Sequence, residues 1–475
     1  MCSATRSKKT TGRPSMGYCE ECIEKDLKIE ELKETIKGLN ARLRYRERKE
    51  EDGYFGLSTP SSQLPHKPSS SEENTNKKGG APCGHPGHGR PSHTEETADE
   101  VLLEDVGETC PDCGGVLMLK ETRERTVLEA GPVRPKKLLY HLAVRQCQSC
   151  HKTFRARPKS VLPKNLYGNQ LVANAAVMHY VHGVPMGRVS EMTGIKCGSL
   201  VEIFHRLGQY FSPVMGALKE AYRSSPVKHA DETGWRNDGQ NGYAWLFCTT
   251  RLSIFLFKDT RSSSVPKGIF GEEKLSGVLV VDRYNGYNKL PVDIQYCYAH
   301  LLRDVEKLTK DYPNDQEVAH FTGSLIPLLA ETMHLASTKI TDEEYYREAR
   351  ELKEKIMAVC ASPAHHLGIR AIQDIFMEHE DRFFHWVRDR RVPPDNNRAE
   401  RELRPTVIAR KVSFGSSSDA GAYTRSVLMS VLHTLNKRTG DAPLESVFKG
   451  ILDEIVRHPQ VDLTTFLLPP QSNPP

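Results

Sequence analysis

One apolar run constrains this chain more than any other stretch: Gly277–Tyr287 reads GVLVVDRYNGY. It lacks polar alternation, and alternation is lost when both faces of a strand are covered, so the run predicts a strand in the interior of a sheet. Asp282 falls where that strand leaves the sheet. Water returns there and irregular backbone is tolerated, so a carboxylate can meet a cation without being left unpaired in a core.

A partner acid lies upstream. Pro226–Trp235 (PVKHADETGW) predicts a short strand ending at Asp231. Tyr243–Thr249 and Leu252–Phe257 are aromatic and β-rich with a short polar link, which is hairpin grammar. Ser262–Phe270 reads as a crossover, Ile294–Ala299 as a further strand, and His300–Lys310 as an amphipathic helix. The order predicts a mixed α/β sheet with right-handed long crossovers. If its first and fourth strands are parallel neighbours, Asp231 and Asp282 face each other at one strand spacing, roughly 5 Å. That separation can hold a pair of metal ions.

A third acid comes much later, in VPPDNNRAERELRPTVIARK (Val392–Lys411). Asp395 is a good N-cap, and Asn396, Glu400 and Arg404 then share one helical face. Pro405 is expected to end or kink the helix. Glu402, two positions beyond Glu400, points about 200° away around the helix, so only one of the two can face the other acids.

These motifs carry a resemblance. HADETG (His229–Gly234), DRYNGY (Asp282–Tyr287), CYAHLLRD (Cys297–Asp304), DNNRAERELRP (Asp395–Pro405) and IARK (Ile408–Lys411), in this order, make the chain similar to the DDE transposases of the insertion sequence sixty-six family. The resemblance implies a multidomain α/β protein: an RNase H-like mixed-sheet catalytic core, interrupted by a helical insertion and preceded by coiled coil, zinc ribbon and helix-turn-helix. It implies that Asp231, Asp282 and Glu400 are catalytic and hold two Mg²⁺ ions, with Mn²⁺ as a substitute. It also implies partners: the terminal inverted repeats of an element, target DNA, further copies of the chain on that DNA, and accessory proteins of the element.

The remaining chain fits a modular protein. At 475 residues it is too long for one ordinary core. Residues 1–52 read as a tail and short coiled coil, with Cys22, Ile29, Ile36 and Leu43 at one heptad position. Residues 53–95 read as a flexible linker with a Gly/His-rich element. Residues 96–165 hold two CxxC knuckles, Cys110 with Cys113 and Cys147 with Cys150; four thiolates make a closed structural Zn²⁺ site, with Val116–Leu119 and Leu138–Arg145 as strands between them. Residues 166–222 give three helical segments with helix-turn-helix spacing. The core then occupies 223–311 and 393–412, flanking helices at 312–392, with C-terminal helices and a tail at 413–475.

Net charge is only +5, but its distribution is uneven. From Ala130 to Ser190 there is no acidic residue, while Lys136, Lys137, Arg155 and Arg157 stand among ten basic ones. Such a stretch predicts a polyanionic partner, and Arg401 and Arg404 beside Glu400 would reach the same DNA. No run suits a signal peptide or a bilayer span, and twelve cysteines suit metal ligands or buried thiols in a reducing cytoplasm. Three functions fit: a transposase that cuts and rejoins DNA, a nuclease without strand transfer, and a DNA-binding regulator with a decayed core.

Overall fold

A computed structural model of the chain describes residue 28, residues 135–146 and residues 153–468. The coiled coil, the linker and all four knuckle cysteines lie outside the described residues. Val144–Gln146 (β1) pairs antiparallel with Thr153–Arg155 (β2) across the second knuckle. The stretch from 135 to 143 has no regular secondary structure, so Leu138–Arg145 forms a shorter strand than expected.

The central sheet is built from Val227–Asn237 (β3), Gln240–Cys248 (β4), Ser253–Lys258 (β5), Val278–Val281 (β6) and Asp293–Tyr296 (β7), in the order β5-β4-β3-β6-β7. Pairs β3/β4 and β4/β5 are antiparallel, and β3/β6 and β6/β7 are parallel. β6 lies between two neighbours, as its unbroken apolar sequence requires. Beyond β5, Asn169–Tyr180 (α1), Met186–Thr193 (α2), Cys197–Phe211 (α3) and Val214–Arg223 (α4) precede the sheet in the chain, and a helix at Ser264–Phe270 (α5) carries the chain from the β5 edge across to β6.

β3 does not stop at Asp231 but runs six residues further. The cause is a two-residue hairpin: Asp238 and Gly239 both take positive φ, 48° and 72°. Such a turn matches the twist of the flanking strands and extends their pairing.

After β7 come Tyr298–Asp311 (α6), Gln316–Leu335 (α7), Asp342–Cys360 (α8) and Leu367–Glu378 (α9). The last ends at Glu378, and the chain then turns so that Phe383 and Trp386 can pack against Tyr298. The next helix, Asn397–Ser413 (α10), continues past Pro405, so the proline does not end it. Pro405 forfeits one backbone bond, and burial of Leu403, Thr406 and Ala409 together with Arg410 bonds to Thr233 and Gly234 hold the helix on β3.

The C-terminal helix Asp419–Asn436 (α11) is buried along most of its length. Ser426, Ser430 and Thr434, spaced by four, accept the N–H groups of Phe257, Phe255 and Ser253 at 3.1, 2.8 and 3.0 Å. Four helical residues rise about 6 Å and two strand residues about 6.6 Å, so hydroxyls and amides stay in step. This ladder satisfies the open edge of β5, which would otherwise be a template for another strand.

α11 also anchors the helices that precede the sheet. Arg425, only 6% exposed, bonds His179 at 2.9 Å and lies over the rings of Tyr180 and Trp235. The expected apolar face of α3, with Leu200, Ile203, Phe204, Leu207 and Phe211, is buried. Leu444–Arg457 (α12) and Thr464–Leu467 (α13) close the fold. No described helix is long and apolar enough to cross a membrane.

Candidate active site

Strand register sets the first two acids side by side. Val227, Lys228 and His229 pair with Val278, Leu279 and Val280. Carrying that register on by two residues sets Asp231 opposite Asp282. Asp282 stands directly after β6, and its Oδ1 accepts the Tyr284 N–H at 3.0 Å, which fixes the turn.

The third acid is delivered by a latch. Asn396, at the start of α10, is 1% exposed. Its Nδ2 donates to the Ala230 carbonyl at 2.8 Å, its Oδ1 lies 3.0 Å from His229 Nδ1, and its N–H donates to Cys297 Sγ at 3.1 Å. A buried amide must find partners for its donors and acceptor, and here they fix α10 to β3 and to the end of β7. Glu400 sits one turn along, where Arg303 donates to its Oε1 at 3.1 Å and His300 Nδ1 lies 3.7 Å away. His300 and Arg303 flank this carboxylate.

Crowding of like charge shows in Asp231. Its carboxyl is pushed up to about 8, first by burial, then by the neighbouring Glu232, and further by Asp282 and Glu400, against the pull of the Glu232 N–H. Carboxylates close enough to raise one another's proton affinity favour a cation between them. The donor set is hard oxygen, which suits Mg²⁺ or Mn²⁺. Beside it, the buried Nδ1 of His300 has no hydrogen-bond partner. Cys297, His300 and Glu400 bring ligand atoms within 4.8 Å of one another. Yet Cys297 is buried and accepts backbone N–H groups, and burial pushes its thiol up to about 11, so it stays protonated.

Glu402 is set apart. It accepts from Ser253 Oγ at 2.8 Å and pairs with Lys437 Nζ at 2.6 Å. It serves the packing of α10 on the sheet and on α11.

A fourth acid, which the motifs do not single out, joins the cluster. Glu232, its side chain 2% exposed, takes two bonds from Arg261, at 2.9 and 2.6 Å, and one from the Tyr287 hydroxyl. Arg261 in turn lies 4.1 Å over the Tyr284 ring. This clamp ties β3 and the crossover to the turn that carries Asp282. Burial raises the Glu232 carboxyl, while the bonds from Tyr287 and Arg261 pull it back. The signal is present in sequence as the E of HADETG and the tyrosines of DRYNGY, but nothing in their spacing shows that they meet.

Residues 164–424 match the model of a family described as the transposase IS66 family. The chain belongs to that family. Two Sinorhizobium fredii (strain NBRC 101917 / NGR234) proteins are also similar. One, described as uncharacterized protein y4qI, is 23% identical over 74% of this chain and 71% of its own length. The other, uncharacterized protein y4hP, is 22% identical over 76% and 72%. The family match takes in Asp231, Asp282 and Glu400 and stops inside α11, before the ladder on β5.

The remaining candidates do not join this site. Arg401 and Arg404 are exposed on α10, and Lys136, Lys137 and Arg157 are exposed elsewhere. Arg155 lies in β2. Cys110, Cys113, Cys147 and Cys150 fall outside the described residues.

Proposed function

We propose that this protein is a DDE-type transposase that binds element ends and carries out metal-dependent DNA strand cleavage and strand transfer. The observation that carries the reading is the convergence of Asp231, Asp282 and Glu400 from β3, the end of β6 and α10, with Asp231 feeling both of the others. The strand order, with β4 antiparallel beside a parallel β3-β6-β7 set, supports an RNase H-like core. The helices α7 to α9 would be its insertion.

Asp231, Asp282 and Glu400 would hold two divalent cations. Bound there, Mg²⁺ would neutralise charge on a phosphodiester and make water or a DNA 3′-hydroxyl a better nucleophile. The protein's own part is positional: the Asn396 latch and the Glu232 clamp set the carboxylates, and Arg303 offsets the charge of Glu400. Arg401 and Arg404, on the exposed side of the same helix, would contact DNA phosphates. Lys136, Lys137, Arg155 and Arg157 would supply salt-sensitive affinity, with α1 to α3 acting as the helix-turn-helix-like region. Cys110, Cys113, Cys147 and Cys150 would hold a structural Zn²⁺. A nuclease without strand transfer needs no such assembly, and a decayed regulator needs no intact acid set.

Glu400→Gln tests the reading, because it keeps shape and hydrogen bonding while removing the charge that holds a cation. Mg²⁺-dependent nicking and joining of element-end DNA should fall by about a thousandfold or more, the scale on which a lost metal site acts, with DNA binding nearly intact. Near-normal cleavage by this variant would sink the assignment.

A further inference from the structure

On the side of α10 away from the acids lies a cavity of about 700 Å³. Its lining comes from the end of α4, the start of β3, the β4–β5 turn, the end of α7, the segment leading into the first turn of α10, and the residues after α11 and α13. Arg251, Arg390, Arg391, Arg398 and Arg438 line it, and no acidic side chain of the described residues does. Two of these arginines are already committed. Arg390 bonds Asp342 and the carbonyls of Thr338 and Ile340, and Arg391 pairs with Asp389.

We propose that this cavity binds a phosphate-bearing ligand of nucleotide size through Arg251, Arg398 and Arg438. The side chains of Arg251 and Arg398 have no hydrogen bond or ion pair to any described residue, and Arg438 spends only its Nε, on the Arg251 carbonyl at 3.1 Å. Glu402 lies one turn beyond Arg398 on the same face but is taken by Lys437 and Ser253. Three guanidinium groups around a concave wall with no counter-charge repel one another, and an anion relieves that repulsion. Arg438 carries its mark: burial first, then Arg251, lowers its proton affinity. Planar guanidinium groups match phosphate oxygens two at a time. The volume falls within the roughly 300–1,000 Å³ of small-molecule sites and accommodates a single phosphate-bearing unit. A nucleotide at a DNA strand end and a free nucleotide share this chemistry. The site is separate from the acids, since Arg398 precedes Glu400 by two positions and points about 200° away around α10. It does not depend on the catalytic reading.

The test is calorimetric titration of the full chain with pyrophosphate in the presence of EDTA, which removes divalent cations. Saturable binding is expected, weakened about tenfold in Arg398→Gln and about tenfold in Arg251→Gln, each a loss of about 1.4 kcal/mol from one charged hydrogen-bonded contact. Arg251 lies on an exposed turn, so that variant reports even if Arg398→Gln fails to fold. A thermal melt without ligand confirms folding. Displacement of pyrophosphate by a 5′-phosphorylated dinucleotide, but not by its 5′-hydroxyl counterpart, assigns the ligand to a strand end; displacement by dAMP alone assigns it to a free nucleotide. No saturable binding, affinity unchanged from the wild-type chain in both variants, or displacement by neither competitor overturns the proposal.

Discussion

The two sides of the first turns of α10 are electrostatic opposites. On one, Asp231, Asp282 and Glu400 crowd negative charge against the sheet; on the other, Arg251, Arg398 and Arg438 surround a cavity with positive charge. On the arginine side, one turn beyond Arg398, stands Glu402, paired with Lys437 and bonded to Ser253. The difference is between charge that is neutralised within the fold and charge that is left over. Paired groups such as Glu402 contribute to stability, whereas the leftover groups cost stability and are where a ligand of opposite sign gains most.

That contrast can be broken at Glu402. Glu402→Gln should leave cleavage largely unchanged but strand Lys437, whose side chain is 15% exposed, beside a neutral amide. Because both partners keep some contact with water, the expected loss is about 1–3 kcal/mol rather than the full cost of a wholly buried broken pair. Denaturant unfolding measures it. Glu400→Gln should show the reverse pattern, with activity abolished and stability kept. If the two patterns were exchanged, α10 would be rotated from the orientation described.

A smaller effect is expected at Asp231. Its carboxyl, pushed up to about 8, binds a proton more tightly in the folded chain than in the unfolded one, where the ordinary value is near 4. Without divalent cations, the contribution of this group to stability should therefore be greatest below about pH 4 and fall as pH rises towards 8. Asp231→Asn should flatten that decline and raise the melting temperature at pH 8, by roughly 2–4 °C for each kcal/mol of repulsion relieved. Thermal melts across pH in EDTA check this, and an unchanged slope would mean that Asp231 does not carry the strain.

The smallest effect per residue is expected away from both clusters. Replacing Lys136, Lys137, Arg155 and Arg157 by Ala should flatten the salt dependence of DNA binding by about 0.9 in log K against log salt for each phosphate that is no longer neutralised. Binding isotherms at several salt concentrations read it, and an unchanged slope would place the DNA-binding surface elsewhere.

Much of the sheet was legible because it is written in local patterns. The unbroken GVLVV run marks an interior strand, and the aromatic pair of segments marks a hairpin. Strand order allowed the parallel pairing of β3 with β6 without requiring it. Local rules fail where distant partners decide. Pro405 does not stop α10, because packing on β3 outweighs one missing bond. β3 runs past Asp231 because Asp238 and Gly239 form a hairpin turn, a signal short enough to be hidden among polar neighbours. The serine and threonine spacing of α11 looks ordinary until the β5 edge is seen beside it. The same holds for the sites: single acids in motifs can be picked out, but the Glu232 clamp joins residues from three separate segments. The cavity's arginines come from four separate segments, and only Arg398 falls within a motif.

The Asn396 latch also bears on how the protein comes into being. His229 meets Asn396 across 167 residues of chain, and β5 meets its α11 hydroxyls across 169 to 181. At a synthesis rate of about 5–20 residues per second, β3 leaves the ribosome roughly ten to thirty seconds before its latch. Pairings so far apart in sequence also close slowly once the chain is complete. During that interval β5 has an unprotected edge and Asp231 lacks its third partner. A newly made molecule therefore matures in a fixed order, with the sheet first and its chemistry last, and any product that terminates before residue 400 is born without the full acid set.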